Sequence, residues 1–446
     1  MLSRSRPVGW EIPKAWWWFG AAAMMVYAVL RLPLPHIGEN AGTALALSGL
    51  VLLLVYGKRF RRSFPLLLLW AALAVQILTW TLGYFHHPEW LSANPKLDRL
   101  AKLFTFIAVA WWLGGSTRNT LLFWGVALSG VLIATLLPDA INDWRLGLLG
   151  KRVDFNIYNA QHVSMFLGTG LIGLLAFCRF CLMGGRWVWL RRTGWLAGFI
   201  LCLVGSIITQ TRASWLALVI VLPLMGVAWG AWKLRTEGKL AFSRRLALLT
   251  LVGAVISIGI MFALQEPVAK RLGAESEVIA KVVEGDFKSI PYSSIGNRIV
   301  SWRAAADWIA DRPLVGWGEE ARSLVMRQTD WLPERSQKYG HLHNSFLELQ
   351  VSYGLLGFII FIALAWWVAR GTWKAWQRGS MPGEMALFGY AFFLFWIIVN
   401  SFESFMFFWT GVYLFNVIMG GLVTHIWLAE QAEYGKQPLG MSRDSE

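Results

Sequence analysis

The chain has 446 residues, of which 56% are hydrophobic and 15% charged, with 28 Trp and 27 Phe; that composition excludes a water-soluble globular domain. The formal net charge of +15 raises the question of a polyanionic partner. The basic side chains fall in alternate connections between apolar tracts, so the excess reports membrane topology and no nucleic acid is expected.

The first basic group, Arg4, Arg6 and Lys14, precedes the apolar run Ala15–Leu32. That run is long and its exit lacks a small-residue cleavage site, so it reads as a span and not as a removable signal. Further basic groups follow at Lys58–Arg62, Arg179–Arg192, Lys233–Arg245 and Arg370–Arg378. Tracts of about 20 apolar residues, enough to cross a hydrocarbon core of about 30 Å, recur between these groups. Twelve spans are predicted, near 15–32, 43–57, 64–84, 100–115, 119–137, 160–178, 193–211, 213–232, 246–264, 343–369, 385–402 and 405–428. The second is short and the seventh and eighth nearly continuous, which leaves ten or eleven crossings open. The fold class is therefore an all-α polytopic integral membrane protein with both termini in the cytoplasm. Residues 1–264 hold nine spans, 265–342 a large outer loop, 343–428 three more spans, and 429–446 a polar tail.

The outer loop carries 11 Lys or Arg against 11 Asp or Glu, so it is neutral and belongs on the non-cytoplasmic side. Apolar residues at helical spacing predict amphipathic helices over Pro267–Glu284 and Arg298–Arg312, the second stopped by Pro313. With nothing soluble to pack against, the two are expected to lie on the mouth of the bundle as a cap. Gly316-Trp317-Gly318 reads as a tight turn. Cys178 and Cys181 have CxxC spacing but no second pair to complete a zinc site, and they read as inert. No internal repeat is evident, unlike transporters built from duplicated halves.

Chemistry is expected where the outer loop meets the tenth span, at Gly340-His341-Leu342-His343-Asn344-Ser345. With the helix begun at residue 343, His343, Leu347, Gln350, Gly354 and Gly357 share a face. The glycines would then admit a neighbouring helix, with Gln350 bonding across the contact. Charged groups near span ends are costly and mark functional candidates. Arg212 sits between two hydrophobic runs, although an arginine there also reaches headgroup phosphates. Arg298 opens a predicted helix, a position that suits arginine only when an anion is nearby. Arg145, Lys151 and Arg152 cluster before the sixth span, followed by Asn156, Asn159 and His162. Glu348 lies about five residues into the His343 helix and Glu403 at an outer turn; either one suits orienting the histidine or pairing an arginine. These cations around a histidine suit a lipid-linked phosphate or diphosphate. No DxD, P-loop, HExxH or GxSxG is present, so neither metal nor other cofactor is expected.

His343-Asn344, followed after nine residues by Gly354-Leu355-Leu356-Gly357, resembles the signature of the O-antigen ligase and polymerase superfamily. The resemblance extends to Arg212 with Leu216, to Asn297-Arg298 with Trp302, and to Pro313-Leu314-Val315-Gly316-Trp317-Gly318, and it covers the second half of the chain. It implies about twelve transmembrane helices, a large periplasmic loop and a GT-C-like glycosyltransferase of the bacterial inner membrane. It also implies an undecaprenyl-diphosphate-linked O-antigen as donor, lipid A-core oligosaccharide as acceptor, and essential roles for Arg212, Arg298 and His343. On this reading His343 accepts the acceptor's proton, and Arg212 and Arg298, with Arg152, Asn344, Glu348 and Glu403 around them, hold the substrate. One dominant outer loop favours the ligase over the polymerase, and the short tail disfavours a protein O-oligosaccharyltransferase. A lipid or anion transporter is the alternative from a different class.

Overall fold

The computed structural model describes residues 10, 12–185, 187–237, 278 and 280–434. All regular structure in them is helical. The main elements are α1 (Lys14–Leu30), α2 (Pro35–Tyr56), α3 (Phe64–His86), α4 (Phe106–Leu113), α5 (Thr117–Thr135), α6 (Ile141–Leu148) and α7 (Ala160–Ala176). They continue with α8 (Val188–Ile208), α9 (Arg212–Glu237), α10 (Ser294–Asp311), α11 (Ala321–Gln328), α12 (Ser345–Gln377), α13 (Gly383–Asn400) and α14 (Trp409–Tyr434). Eight of these are long and apolar enough to cross a membrane, and the chain is a multi-pass, all-helical membrane protein. The span expected at 246–264 lies outside the described residues, as does most of the helix expected at Pro267–Glu284.

Helix α14 is the hub. It packs on α4, α5, α12 and α13, and it buries Met419, Leu422, Val423, Ile426 and Trp427. The fourth predicted span is interrupted, because a 3-10 turn at Lys102–Phe104 precedes α4. The freed backbone groups there need partners that lipid cannot supply. Asn416 on α14 provides them: its Oδ1 accepts from Phe106 N at 2.6 Å and its Nδ2 donates to Lys102 O at 2.8 Å. Large apolar side chains such as Trp70, Ile77, Ile359, Ile362 and Trp366 face outward, as expected of surfaces solvated by acyl chains. Lipid tails are as apolar as these side chains, so close packing and internal hydrogen bonds hold the bundle together.

Residues 280–344 carry a second, smaller core. Ile290, Val300, Ala304, Ala305, Trp308, Ala321, Leu324, Val325, Met326 and Leu342 are buried together with Val351 of α12. The loop helices α10 and α11 pack on α12 as a cap, and they also have a core of their own, held by burial from water. Helix α10 also starts earlier than expected, at Ser294, where the Ser293 side chain accepts from Gly296 N; Arg298 is one turn inside it. Lys96 bridges Glu319 and Glu320 at 2.9 and 3.0 Å, and Trp90 packs against Trp308 and Trp317. These contacts tie the loop after α3 to the cap.

The face proposed for Gly354 and Gly357 is not a helix–helix contact. Gly354 breaks α12 with φ +59° and ψ −159°, a conformation closed to side chains with a Cβ. The opened backbone is taken up by the Pro313–Gly318 turn: Trp317 N donates to Val351 O, Gly318 N to Ser352 O, Leu355 N to Pro313 O and Leu356 N to Leu314 O, at 2.8–3.1 Å. Both backbones need glycine for this approach. A Cβ on Gly354 would lie 2.3 Å from the Leu314 carbonyl carbon, and one on Gly316 would lie 2.6 Å from that of Ser352. Gly354→Ala should therefore destabilise the detergent-purified protein by at least the roughly 1–3 kcal/mol of backbone strain. An unaltered unfolding midpoint would show that the break is dispensable.

Candidate active site

The break in α12, the cap and the α13–α14 connection converge at one end of the bundle. Helix α12 begins at Ser345, and Asn344 caps it by accepting from Phe346 N and Leu347 N at 3.0 and 3.2 Å. His343 therefore precedes the helix, at φ +52°, and the helical-face alignment read from the sequence does not include it. That uncommon conformation belongs to a stretch fixed on both sides. Leu342 O accepts from Trp302 Nε1 at 2.9 Å, and Leu342 N donates to Glu348 Oε1 at 2.8 Å.

The turn after α13 faces this stretch. Ser345 Oγ donates to Asn400 Oδ1 at 2.6 Å and accepts from Met406 N at 3.2 Å, which seats Glu403 against the histidines. His343 Nδ1 lies 3.3 Å from Glu403 Oε2, and His341 Nε2 lies 3.4 Å from Glu403 Oε1. The two ring nitrogens are 3.1 Å apart. Burial alone would raise the Glu403 carboxyl, but hydrogen bonds from His341 and His343 and from Ser404 N–H hold it well below the usual carboxylate range. Its contribution to stability is thus present above the ordinary value of 4.5 and is lost only as pH falls through the lower folded value. An ionised carboxylate has only acceptors, so it favours the tautomers that turn an N–H toward it. Glu403 thereby holds His343 with Nδ1–H inward and Nε2 available as an acceptor.

Arginines gather beside the carboxylate. Arg298 is pulled below its ordinary value first by burial, then by repulsion from Arg212 and Arg152, while Glu403 opposes the shift. Arg152 from the loop before α7, Arg212 at the start of α9 and Arg298 on α10 thus come into one field. Gln161, with its amide nitrogen turned toward Glu403, donates to that carboxylate, and its amide oxygen accepts from Arg298 Nη2 at 3.2 Å. Glu348 is a fully buried prop: besides Leu342 N it accepts from Ser404 Oγ at 2.5 Å, and its Oε2 lies 3.5 Å from Arg322 Nη1. The Arg322 guanidinium in turn rests over the rings of Phe407 and Phe408.

Of the residues singled out in the sequence, Arg152, Arg212, Arg298, His343, Glu348 and Glu403 meet here, and Asn344 serves as the helix cap. Arg145 is exposed on α6, and Asn156 binds Asp139 O. His162 is buried in the bundle against Thr410. Sequence reading missed His341, Gln161, Arg322 and Ser404. His341 falls outside the spacing that links His343-Asn344 to Gly354, and its place beside Glu403 depends on the fold of the 341–343 stretch, in which His343 is left-handed. By donor type His341, His343 and Glu403 would also suit a metal ion, their ligand atoms all lying within 4.8 Å of one another.

Fold and site together define a polytopic helical membrane protein with a histidine–carboxylate–arginine cluster at one end of its bundle. Residues 197–362 match the family model described as O-Antigen ligase. In that segment, which is less than half of the chain, the protein is similar to the O-antigen ligase family, whose members are glycosyltransferase-like enzymes. The segment holds Arg212, Arg298, His341, His343 and Glu348, while Glu403 and Gln161 lie outside it. A protein of Haemophilus influenzae (strain ATCC 51907 / DSM 11121 / KW20 / Rd), described as an uncharacterized protein, is 27% identical over 172 residues. The match covers 37% of this chain and 39% of the length of that relative.

Proposed function

We propose that the protein is an O-antigen ligase, which transfers a glycan from undecaprenyl diphosphate to lipid A-core oligosaccharide at the periplasmic face of the bacterial inner membrane. The observation that carries this reading is the pairing of His343 with a buried, ionised Glu403 beside Arg152, Arg212 and Arg298. The arginines hold the donor diphosphate and offset charge developing on it as it leaves. Glu403 is a positioning residue: it keeps the His343 proton on Nδ1, and Nε2 accepts the proton of the acceptor hydroxyl as that oxygen attacks the anomeric carbon. The C–O bond to the acceptor forms as the bond to the diphosphate breaks, and a single displacement inverts the configuration. A cavity of about 600 Å³ opens beside the turn at 403–408, between α1, α2, α3, α4 and α14, and is lined by Leu47, Leu50, Trp70, Leu73, Phe407 and Trp409. Its apolar walls and its place next to the site suit a lipid substrate's hydrocarbon. In this reading residues 265–342 are the periplasmic loop between the spans of 1–264 and 343–428, both termini are cytoplasmic, and 429–446 is the tail.

The test is transfer by purified protein from a polyprenyl-diphosphate-linked glycan to lipid A-core in reconstituted membranes. Lengthening of the lipid-linked glycan would favour the polymerase, and transfer to a protein acceptor the oligosaccharyltransferase. Movement of intact donor across the bilayer without product would favour a transporter. The arginine-based scheme needs no metal, so excess chelator should leave transfer undiminished. Loss of transfer in chelator, restored by magnesium or manganese, would overturn that scheme.

A further inference from the structure

The two histidines and Glu403 have a geometry that proton transfer alone does not require. His341 Nε2 lies 3.1 Å from His343 Nδ1 and 3.4 Å from Glu403 Oε1, while His343 Nδ1 lies 3.3 Å from the other carboxylate oxygen, Oε2, and one ligand atom from each residue falls within 4.8 Å of the other two. A tetrahedral zinc ion with bonds of about 2.0–2.1 Å to nitrogen and oxygen needs its ligands about 3.3–3.4 Å apart. The three side chains are 23%, 18% and 3% exposed, so the carboxylate is shielded while the imidazoles remain partly accessible. Glu403 Oε1 also accepts from Ser404 N at 2.9 Å, the kind of outer contact that fixes a ligand's orientation. Two imidazoles disfavour magnesium and calcium, which take oxygen ligands, and favour zinc-class ions.

We infer that His341, His343 and Glu403 form a three-ligand site for a zinc-class divalent cation, whose fourth position is left to water or an anion, and that its occupancy blocks transfer. Binding displaces the protons on the two facing nitrogens. With the metal on Nδ1, the single proton of neutral His343 moves to Nε2, so the nitrogen that accepts the acceptor's proton becomes a donor. The site itself stands on geometry; the block rests on the proton-accepting role assigned to His343 above.

The experiment uses untagged, chelator-washed, full-length protein in detergent, titrated with cobalt(II) and followed by visible absorption. Expected is about one equivalent bound, with the intense band of four-coordinate cobalt, displaced by zinc. His341→Ala, and separately the more conservative Glu403→Gln, should weaken binding by more than the roughly 10–100-fold that loss of an outer-shell contact costs. Weak octahedral absorption, or binding that survives both substitutions or is lost instead with His87→Ala on the exposed loop after α3, would overturn the site. Transfer assayed in parallel should fall with the same zinc midpoint as binding and recover in chelator. One tetrahedral cobalt lost in both variants, with transfer unimpaired at saturating zinc, would uphold the site and remove His343 from proton transfer.

Discussion

His343→Ala is expected to lower transfer to about a hundredth or less of the unaltered rate, because general-base assistance is worth roughly 10²–10⁴-fold. Donor affinity should stay nearly constant, since the diphosphate falls to the arginines. The informative comparison is His341→Ala. His341 shares Glu403 with His343 and lies 3.1 Å from its Nδ1, so it is not an inert control, but its loss leaves the His343–Glu403 pair in place. A smaller fall in rate is therefore expected from it. Rate and donor affinity for both variants, measured in reconstituted membranes, decide the matter. If His341→Ala loses the rate and His343→Ala keeps it, the roles are reversed. If both lose donor binding together, the stretch serves structure alone.

Arg298→Lys is expected to reduce transfer about 10²–10³-fold, the range for removing one preorganised donor from a developing anion. Lysine keeps the charge but presents a point ammonium in place of a planar fork, and it cannot make paired bonds to a diphosphate. Arg298 is also braced: Gln161 accepts from its Nη2 and reaches Glu403, a contact that the lysine ammonium does not reproduce. Arg212→Lys should behave alike. A well-expressed Arg298→Lys protein with near-normal kcat and KM would take Arg298 out of the diphosphate contact.

The bundle was legible because a bilayer imposes one coarse rule. A span must be long, apolar and helical, and that signal survives in α3, α9, α12 and α14 without any tertiary context. The candidate side chains Arg152, Arg212, Arg298, His343, Glu348 and Glu403 were visible because ionisable groups near span ends are costly. The sequence by itself thus determined the class of fold and a short roster of polar residues.

Their arrangement was decided only in three dimensions. Glu403 lies 60 residues from His343 and Gln161 farther still, and no spacing rule links residues whose meeting depends on how α7, α12 and α13 pack. His341 joins the site through the fold of the 341–343 stretch, in which His343 is left-handed, a backbone state that composition does not announce. Gly354, a natural candidate for close helix packing, instead opens α12 so that the Pro313–Gly318 turn can bond to it. Periodicity reports which face of a helix is apolar; where the helix breaks, and what takes up the freed backbone groups, is settled by partners distant in the chain.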